Sequence, residues 1–460
     1  MDLVRGLVLF AQVSVVVFLC ARLAGFKPPA ALSWTVVLLA YAATGVFVMM
    51  DDVPSWDAQI FWNAGRDVLG GLDPYARPEF LNPPTALPIY VLFALLPLSE
   101  FLWIWKIAAL IGYGVIVPAC QAALRPTFEA NRLSLSRTDL GLLAGAVVIS
   151  VAARFGIRVG QIPILISLAA IGALAMRARN RPVGAGIFLT IMSIKPNTMM
   201  PFLLLFPPKT YIKTWATMVV SGFLLTFVVV HPFDLWDTLL RNLQNIRNAS
   251  LPGAVNDYSF EGSIQSGGVD FLALDYAIYH LGLRDRILIS AVHFAGIVSL
   301  GTFLAWQIYR RPAINFASAA SIVACLSMLF LYHRQYDAII LVIPLVYTFS
   351  MALAVRDWRR WIYRACTLGI IGVLSEPMAQ IGRLIPFAQG SGILNRLVEA
   401  VVLPLGTWVI IAIAIALAIV ERRGSAGDPM PAPSDCASPH DKAATEGSSS
   451  TRVGVNVPSR

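Results

Sequence analysis

Long apolar segments dominate the chain, and short polar segments separate them. A run of about 18 or more apolar residues is typical of a helix that crosses a membrane. The pattern therefore predicts an all-α polytopic membrane protein, a bundle of about eleven to thirteen transmembrane helices. The predicted spans are residues 6–24, 31–50, 100–124, 138–153, 162–178, 215–232, 286–308, 313–332, 337–355, 365–385 and 398–420.

Two further apolar segments leave the number of crossings open. Residues 84–98 start at the second proline of Pro83-Pro84 and hold Pro88 and Pro97, so they form either a short span or a segment that dips into the membrane and returns. Residues 183–207 are interrupted by Lys195-Pro196. Each half is then too short to cross alone, unless the membrane thins or the halves meet inside protein.

Basic residues concentrate in certain loops, and such residues mark the cytoplasmic side of short loops. These clusters are Arg125–Arg137, Arg177–Arg181, Lys209–Lys213, Arg310-Arg311, Arg356–Arg364 and Arg422-Arg423. If all are cytoplasmic, the spans from residue 138 onward alternate consistently, and 84–98 dips without crossing. The first external loop, 51–83, and a long external loop, 233–285, then share the extracytoplasmic face of the cytoplasmic, or inner, membrane.

Composition agrees with this class. Hydrophobic residues make up 57% of the chain and charged residues 13%, whereas a soluble domain carries about 25% charged residues. The net charge of +9 lies in the loops and indicates orientation, not nucleic-acid binding. The five cysteines are dispersed and predict neither a disulfide framework nor a zinc site. We expect one membrane domain, 1–420, and a disordered cytoplasmic tail, 421–460, rich in Gly, Ser, Pro and Ala.

The first external loop carries a candidate acid–base residue. Ser55 is a suitable N-cap for a short helix that Gly70-Gly71 would end, and Trp56 and Trp62 suit the edge of a membrane. We expect this helix to lie on the membrane surface. Asp57 falls in its first turn, where a carboxylate could also serve only to stabilise the helix dipole. Asp51 and Asp52 are the next candidates for a catalytic carboxylate.

Other polar residues fall on the same predicted face. Polar side chains at membrane depth usually face a protein interior or a wet cavity, so together they predict a site at the extracytoplasmic boundary. Packing explanations remain open for several of them. Gln161 could satisfy a backbone group freed by Pro163, Lys195 could cap a broken helix, and Asp337 could pair with Arg334 or Arg158.

The order of these segments resembles the GT-C membrane glycosyltransferases, and most closely glycosyltransferase family 87, the polyprenyl-phosphate-mannose-dependent mannosyltransferases and their relatives. The resemblance spans roughly residues 50–350. The residues that carry it are Asp57 at a helix start, Gly71-Leu72-Asp73-Pro74-Tyr75, Asn82-Pro83-Pro84, Gly160-Gln161, Gly186 before Ile194-Lys195-Pro196, and Tyr332-His333-Arg334-Gln335-Tyr336-Asp337.

The resemblance implies an inverting, single-displacement transfer of a sugar, such as the hexose mannose. The donor would be a polyprenyl-phosphate sugar, and the acceptor a glycolipid or cell-envelope glycan. A carboxylate must take the acceptor's proton, and Asp57 is the candidate base. Cations must neutralise the leaving phosphate; the candidates are Lys195, Arg158, Arg154, His333 and Arg334. The candidate substrate-binding residues are Gln161, Asn63, Tyr75, Tyr336 and Asp337. No cofactor and no metal ligands are assigned, and a metal requirement stays open.

Two other classes of function remain. A lipid-linked sugar flippase or secondary transporter would explain the broken helix at Lys195-Pro196, since broken helices often mark transport sites. Polar residues that cluster at one face, and the lack of a visible two-fold repeat, favour the enzyme. A structural or assembly protein of the membrane would have no need of Asp57.

Overall fold

The computed structural model describes residues 2–50, 55–231, 234–257, 271–310, 315–330, 333–375, 396, 398–402 and 404–424. Within these residues the chain forms helices and turns, and the extended pairing among them is a single isolated bridge between Phe271 and Arg334. The predicted all-α class is confirmed. Asp51, Asp52 and Tyr332, part of the 233–285 loop and nearly all of the predicted tail lie outside the described residues.

The first part of the chain forms thirteen α-helices within its described residues. They are α1 (Asp2–Ala24), α2 (Ala30–Met49), α3 (Trp56–Leu69), α4 (Leu87–Ala94), α5 (Leu98–Ala123), α6 (Arg125–Ala130), α7 (Arg137–Ile149), α8 (Val151–Val159), α9 (Pro163–Ala178), α10 (Pro182–Met192), α11 (Pro196–Phe202), α12 (Ile212–Phe227) and α13 (Leu235–Ala249). The helices that follow are α14 (Leu274–His280), α15 (Arg286–Arg310), α16 (Phe316–Leu329), α17 (Val342–Ala354), α18 (Arg359–Leu374) and α19 (Leu405–Gly424).

Several helices have the length and composition of membrane spans. By these two criteria the described residues hold five such helices: Leu3–Ala24, Ala30–Met49, Leu98–Ala123, Arg286–Phe303 and Gln335–Ala354. The bent pair α7 and α8 would make a sixth, and other apolar helices have 10–17 residues. The polytopic membrane character is confirmed. The predicted eleven to thirteen crossings stay a prediction, because a 16-residue helix is about 24 Å long and a hydrocarbon core is about 30 Å thick.

The predicted span 138–153 is not one continuous helix. The chain bends by 49° between α7 and α8. Ser150 has an extended ψ of 154°, and its Oγ accepts a hydrogen bond of 3.1 Å from the Ala153 amide, which starts a new helix. Arg154 and Arg158 therefore belong to α8. The hydrophobic pattern does not reveal this break, because only one polar residue, Ser150, separates the apolar residues on either side.

The second break, at Lys195-Pro196, occurs where the sequence predicts it. Helix α10 ends at Met192 and α11 begins at Pro196. On α10, a Cβ at Gly186 would come within 2.6 Å of the Thr214 carbonyl oxygen, so this glycine allows α10 to approach α12 closely.

The Pro84–Ala94 segment is about 16 Å long. Its length suits the predicted dip.

A buried 3-10 helix, Gln335–Leu341, lies at the centre of the bundle. It contacts α8, α9, α16 and α18, and all seven of its residues are buried. Two residues before this helix, the backbone carbonyl oxygen of His333 accepts a hydrogen bond of 2.9 Å from the Leu272 amide. The polar segment 333–337 is thus held inside protein and not at an exposed loop end.

The two predicted external loops dock on each other. The expected long loop 233–285 contains helices α13 and α14 in its described part. From α13, the Asn245 side-chain amide donates to the carbonyls of Tyr75, Arg77 and Phe80, at 3.0–3.3 Å. The neighbouring Arg241 pairs with Asp73. These contacts fix the segment that follows α3.

The C-terminal helix is tied to the bundle by a buried carboxylate. Glu421 of α19 accepts hydrogen bonds from the hydroxyls of Tyr347 on α17 and Tyr363 on α18. Residues 421–424, which the sequence assigned to the tail, are part of α19, which continues to Gly424.

Candidate active site

Asp57 lies at the start of α3, on a helix fixed by close packing. A Cβ at Gly65 would come within 2.1 Å of the Tyr90 carbonyl oxygen, and Phe61 stacks on Tyr90 at 4.7 Å between ring centroids. Ser55 occupies the N-cap position as predicted, but its side chain does not cap the helix. Its Oγ instead donates a hydrogen bond of 3.0 Å to the Arg158 carbonyl oxygen. This bond joins the start of α3 to the end of α8.

The Gly160-Gln161 turn holds the Asp57 carboxylate. Gly160 ends α8 in the left-handed region, with a φ of 77°. The turn directs the Gln161 side-chain amide to Asp57, where Nε2 donates to Oδ2 at 2.7 Å. A Cβ at Gly160 would lie 2.3 Å from the Ala58 Cβ. Glycine therefore serves two purposes at this position. It tolerates the left-handed backbone angle, and its lack of a side chain allows contact with the first turn of α3.

Replacing Gly160 with alanine should disturb this contact. A left-handed non-glycine residue costs about 1–3 kcal/mol, and the new methyl group would also push the first turn of α3 away from Gln161. We expect a lower unfolding temperature, measured on the purified protein. Gly71→Ala is the matched control, because Gly71 has a φ of 69° but no heavy atom within 4 Å of the added Cβ. Equal losses in both variants would show that backbone strain alone is responsible.

The Asp57 carboxyl group has a perturbed pKa. Burial raises it above the usual carboxyl range and is the largest effect, whereas the hydrogen bond from Gln161 and the charges of Arg334 and Lys195 lower it. The charge of Asp337 raises it further. The net shift is upward. A carboxylate with a higher pKa accepts a proton more readily near neutral pH, as a general base must.

Cationic groups gather around Asp337, within electrostatic reach of Asp57. Lys195 forms an ion pair with Asp337, and the His333 Nδ1 lies 3.2 Å from the other carboxylate oxygen. The Arg334 backbone amide donates to the same oxygen at 3.2 Å. The sequence offered Arg334 or Arg158 as the side-chain partner of Asp337, and the observed partner is Lys195. The break between α10 and α11 delivers this lysine to a segment 142 residues away.

The other predicted residues nearby form the walls of this cluster. His333 is fully buried, and among the described residues its Nε2 has no hydrogen-bond partner. The Lys195 ammonium lies 5.3 Å from the centre of the Tyr336 ring, which packs on Phe155. The Arg334 guanidinium donates to the Val255 carbonyl oxygen at 2.7 Å.

Three predicted site residues have surroundings that favour other roles. Arg154 is buried, donates to the Ile149 carbonyl oxygen at 3.1 Å and lies over the ring of Phe47 on α2. Tyr75 donates its hydroxyl to the Asn82 carbonyl oxygen at 2.8 Å. Both side chains are held by packing within the protein. Asn63 lies six residues beyond Asp57, about one and two-thirds helical turns, and so faces a different direction.

Tyr113 on α5 is a residue that the sequence reading missed. Its side chain is fully buried, and its hydroxyl lacks a hydrogen-bond partner within the described part of the chain. A Cβ at Gly156 would come within 2.7 Å of this hydroxyl and 3.6 Å of the Tyr336 Cβ. The hydroxyl is therefore close to the cationic cluster. The available signal was a single tyrosine between two glycines, Gly112 and Gly114, inside a long apolar span.

A cleft of about 420 Å³ opens at the far end of α3. It lies between the segment 71–75, the end of α12 and the start of α13, and its polar lining includes three aspartates. The polar side chains are those of Asp73, Tyr75, His231, Asp234, Asp237, Thr238 and Arg241. Within the described residues no group of three or more His, Cys, Asp or Glu side chains is placed to hold a metal ion.

These features define the class of protein. It is an all-α polytopic membrane protein in which α3, the α8–α9 turn, the α10–α11 break and the segment 333–337 bring an acid and several cations together. The family model of glycosyltransferase family 87 matches residues 80–331, more than half of the chain. The chain belongs to glycosyltransferase family 87, and the predicted family is confirmed.

The matched region includes only some of the candidate site residues. It contains Gln161 and Lys195, ends two residues before His333, and begins after Asp57. The family therefore establishes a glycosyltransferase, while the roles of individual site residues rest on geometry and chemistry. Comparison with curated proteins finds no match to the chain.

Proposed function

We propose that this glycosyltransferase moves a hexose such as mannose from a polyprenyl-phosphate donor to a hydroxyl of a glycolipid or cell-envelope glycan. The reaction takes place at the extracytoplasmic face of the cytoplasmic membrane. One observation carries the proposal: the half-buried Asp57, oriented by Gln161, lies within electrostatic reach of Lys195 and Arg334. A proton acceptor and anion-stabilising groups thus share one site.

The reaction is a single displacement. Asp57 takes the proton of the acceptor hydroxyl as its oxygen attacks the anomeric carbon. The bond from that carbon to the phosphate oxygen breaks on the opposite face, so the anomeric configuration inverts. A single base suffices for inversion, because no covalent sugar–enzyme intermediate forms.

The departing lipid phosphate gains negative charge and needs cations in a site poor in water. Lys195, Arg158, Arg334 and His333 are the proposed phosphate ligands. Asp337 holds Lys195 and His333 together before the donor binds. The cleft at the far end of α3 is lined by three aspartates and one arginine, so it is less favourable for a phosphate than the cationic cluster.

The break at Lys195 does not favour a transporter over an enzyme. Its lysine is paired with Asp337 in the same site as Asp57, and the family is one of glycosyltransferases. Reconstituted protein should form a new glycosidic bond when given a polyprenyl-phosphate sugar and a glycolipid acceptor. The measurement is mass spectrometry of the product. Movement of the lipid-linked sugar across the bilayer with no new bond would contradict the proposal.

The hydrogen bond from Gln161 should tune the pH profile. It lowers the pKa of Asp57, so Gln161→Met should raise that pKa and leave less of the reactive carboxylate at a given acidic pH. We expect the acidic limb of kcat/KM to move to higher pH, measured between pH 4 and 9. The half-exposed Gln59 on α3 offers a control, and Gln59→Met should leave the limb in place. An unchanged limb in Gln161→Met would mean that Asp57 does not set it.

A further inference from the structure

Two arginines and a tryptophan form a cluster at the start of α18, which we call the Arg–Trp clamp (Arg360, Trp361 and Arg364). The guanidinium carbons of Arg360 and Arg364 lie 5.5 and 4.7 Å from the centre of the same Trp361 ring. The indole is 62% exposed, and both arginines are half-buried. Two like charges one helical turn apart repel each other.

Carboxylates near the clamp are engaged elsewhere. Asp357 pairs with Arg359 at 2.8 Å and also accepts from its backbone amide. Glu421 accepts from two tyrosine hydroxyls. Within the described residues, the buried Nε atoms of Arg360 and Arg364 have no hydrogen-bond partner. Burial and the nearby charge of Arg360 both lower the pKa of Arg364.

These conditions call for an oxyanion. An anion between the two guanidinium groups would relieve their repulsion and accept hydrogen bonds from them. The planar guanidinium donates two parallel hydrogen bonds to phosphate, which makes arginine well suited to this anion. The clamp thus has the donors and the charge for a phosphate group.

The surface beyond the clamp indicates where that phosphate comes from. Trp361, Ala365 and Leu368 are exposed at positions i, i+4 and i+7, so they form an apolar stripe along one face of α18. Exposed tryptophan is typical of the boundary between membrane and water. A headgroup at the clamp would therefore continue into an acyl chain along this stripe.

We propose that the Arg–Trp clamp binds the headgroup phosphate of an anionic phospholipid, whose acyl chain packs along the stripe of Trp361, Ala365 and Leu368. Basic pockets beside membrane helices are known to hold such headgroups. The site is independent of sugar transfer in its chemistry. It is nevertheless linked to the candidate active site, because α18 packs on the 3-10 helix that carries Asp337.

The test uses full-length protein in nanodiscs of phosphatidylcholine with a minor share of phosphatidylglycerol. Bound lipid is identified by native mass spectrometry after partial delipidation. Wild type should retain phosphatidylglycerol preferentially, and the double variant Arg360→Gln/Arg364→Gln should lose that preference by roughly tenfold. The control Lys209→Gln/Lys213→Gln removes the same charge from another basic loop and should keep the preference. Arg360→Lys/Arg364→Lys keeps the charge and should retain part of it.

Three outcomes would overturn the proposal. One is unchanged retention of phosphatidylglycerol in the Arg360→Gln/Arg364→Gln variant. A second is an equal loss in the lysine control, which would show a general charge effect. The third is displacement of the lipid from wild type by millimolar inorganic phosphate, which would identify a soluble anion as the ligand. Unfolding temperatures of all variants establish that each is folded, and the Arg-to-Lys variant keeps the test decisive if the Gln variant unfolds.

Discussion

Replacing Asp57 with asparagine should lower kcat for sugar transfer by a factor of about 10²–10⁴, the usual contribution of a general base. The amide is nearly the same size, and its oxygen can still accept the hydrogen bond from Gln161. The helix should therefore stay in place while the group that takes the acceptor's proton is lost. Initial rates at saturating donor and acceptor measure the effect, and KM for the donor should change little.

Asp67→Asn provides the matched control for this experiment. Asp67 lies on the same helix and is paired with Arg77, outside the cluster around Asp337. Its replacement removes one carboxylate from α3 and should affect stability more than turnover. A normal rate in Asp57→Asn, or an equal fall in both variants, would remove Asp57 from its catalytic role.

Variants of the Lys195–Asp337 ion pair should distinguish its contribution to stability from its contribution to catalysis. Lys195→Met leaves the buried Asp337 carboxylate without its cation, and such a loss costs about 3–5 kcal/mol. The side chain of Asp337 is 4% exposed, so water cannot compensate. We expect a large fall in unfolding temperature together with a nearly complete loss of transfer. Thermal unfolding in detergent and initial-rate assays measure the two effects.

The double variant Lys195→Met/Asp337→Asn distinguishes the two roles of the lysine. It removes both charges and keeps an oxygen that can accept from the Arg334 backbone amide. Most of the lost stability should return because no uncompensated charge is buried. Transfer should stay low because the leaving phosphate has lost its cation. Recovery of both properties would mean that Lys195 serves only to hold the bundle together.

The sequence anticipated the parts of the site that depend on local rules. Pro196 forced a helix break beside Lys195, since a proline lacks the amide that a helix interior needs. Gly160 indicated a turn, and the motif order indicated that Asp57, Gln161 and Lys195 belong together. Each of these residues can be identified from its own chemistry or from its immediate neighbours in the sequence.

Other predicted site residues show where local rules stop. Arg154 and Tyr75 look like site residues in the sequence, yet each donates a hydrogen bond to a backbone carbonyl inside the protein. Tyr113 was overlooked because its neighbours along the chain are apolar, and polar residues come close to it only in the folded protein. A side chain's hydrogen-bond partner is decided by packing between distant segments, and local sequence patterns do not show that packing.

The all-α membrane class and most of the helix positions follow from the amino-acid sequence, because hydrophobic periodicity and helix-breaking residues act over a few turns, and the order of the motifs indicated the family. Tertiary structure alone decided that Asp337 pairs with Lys195, that α13 docks on the first external loop, and that Gln161 holds Asp57. The physical reason is that hydrogen bonds and ion pairs act over about 3–4 Å. Residues separated by more than a hundred positions come within that range only after the helices have packed.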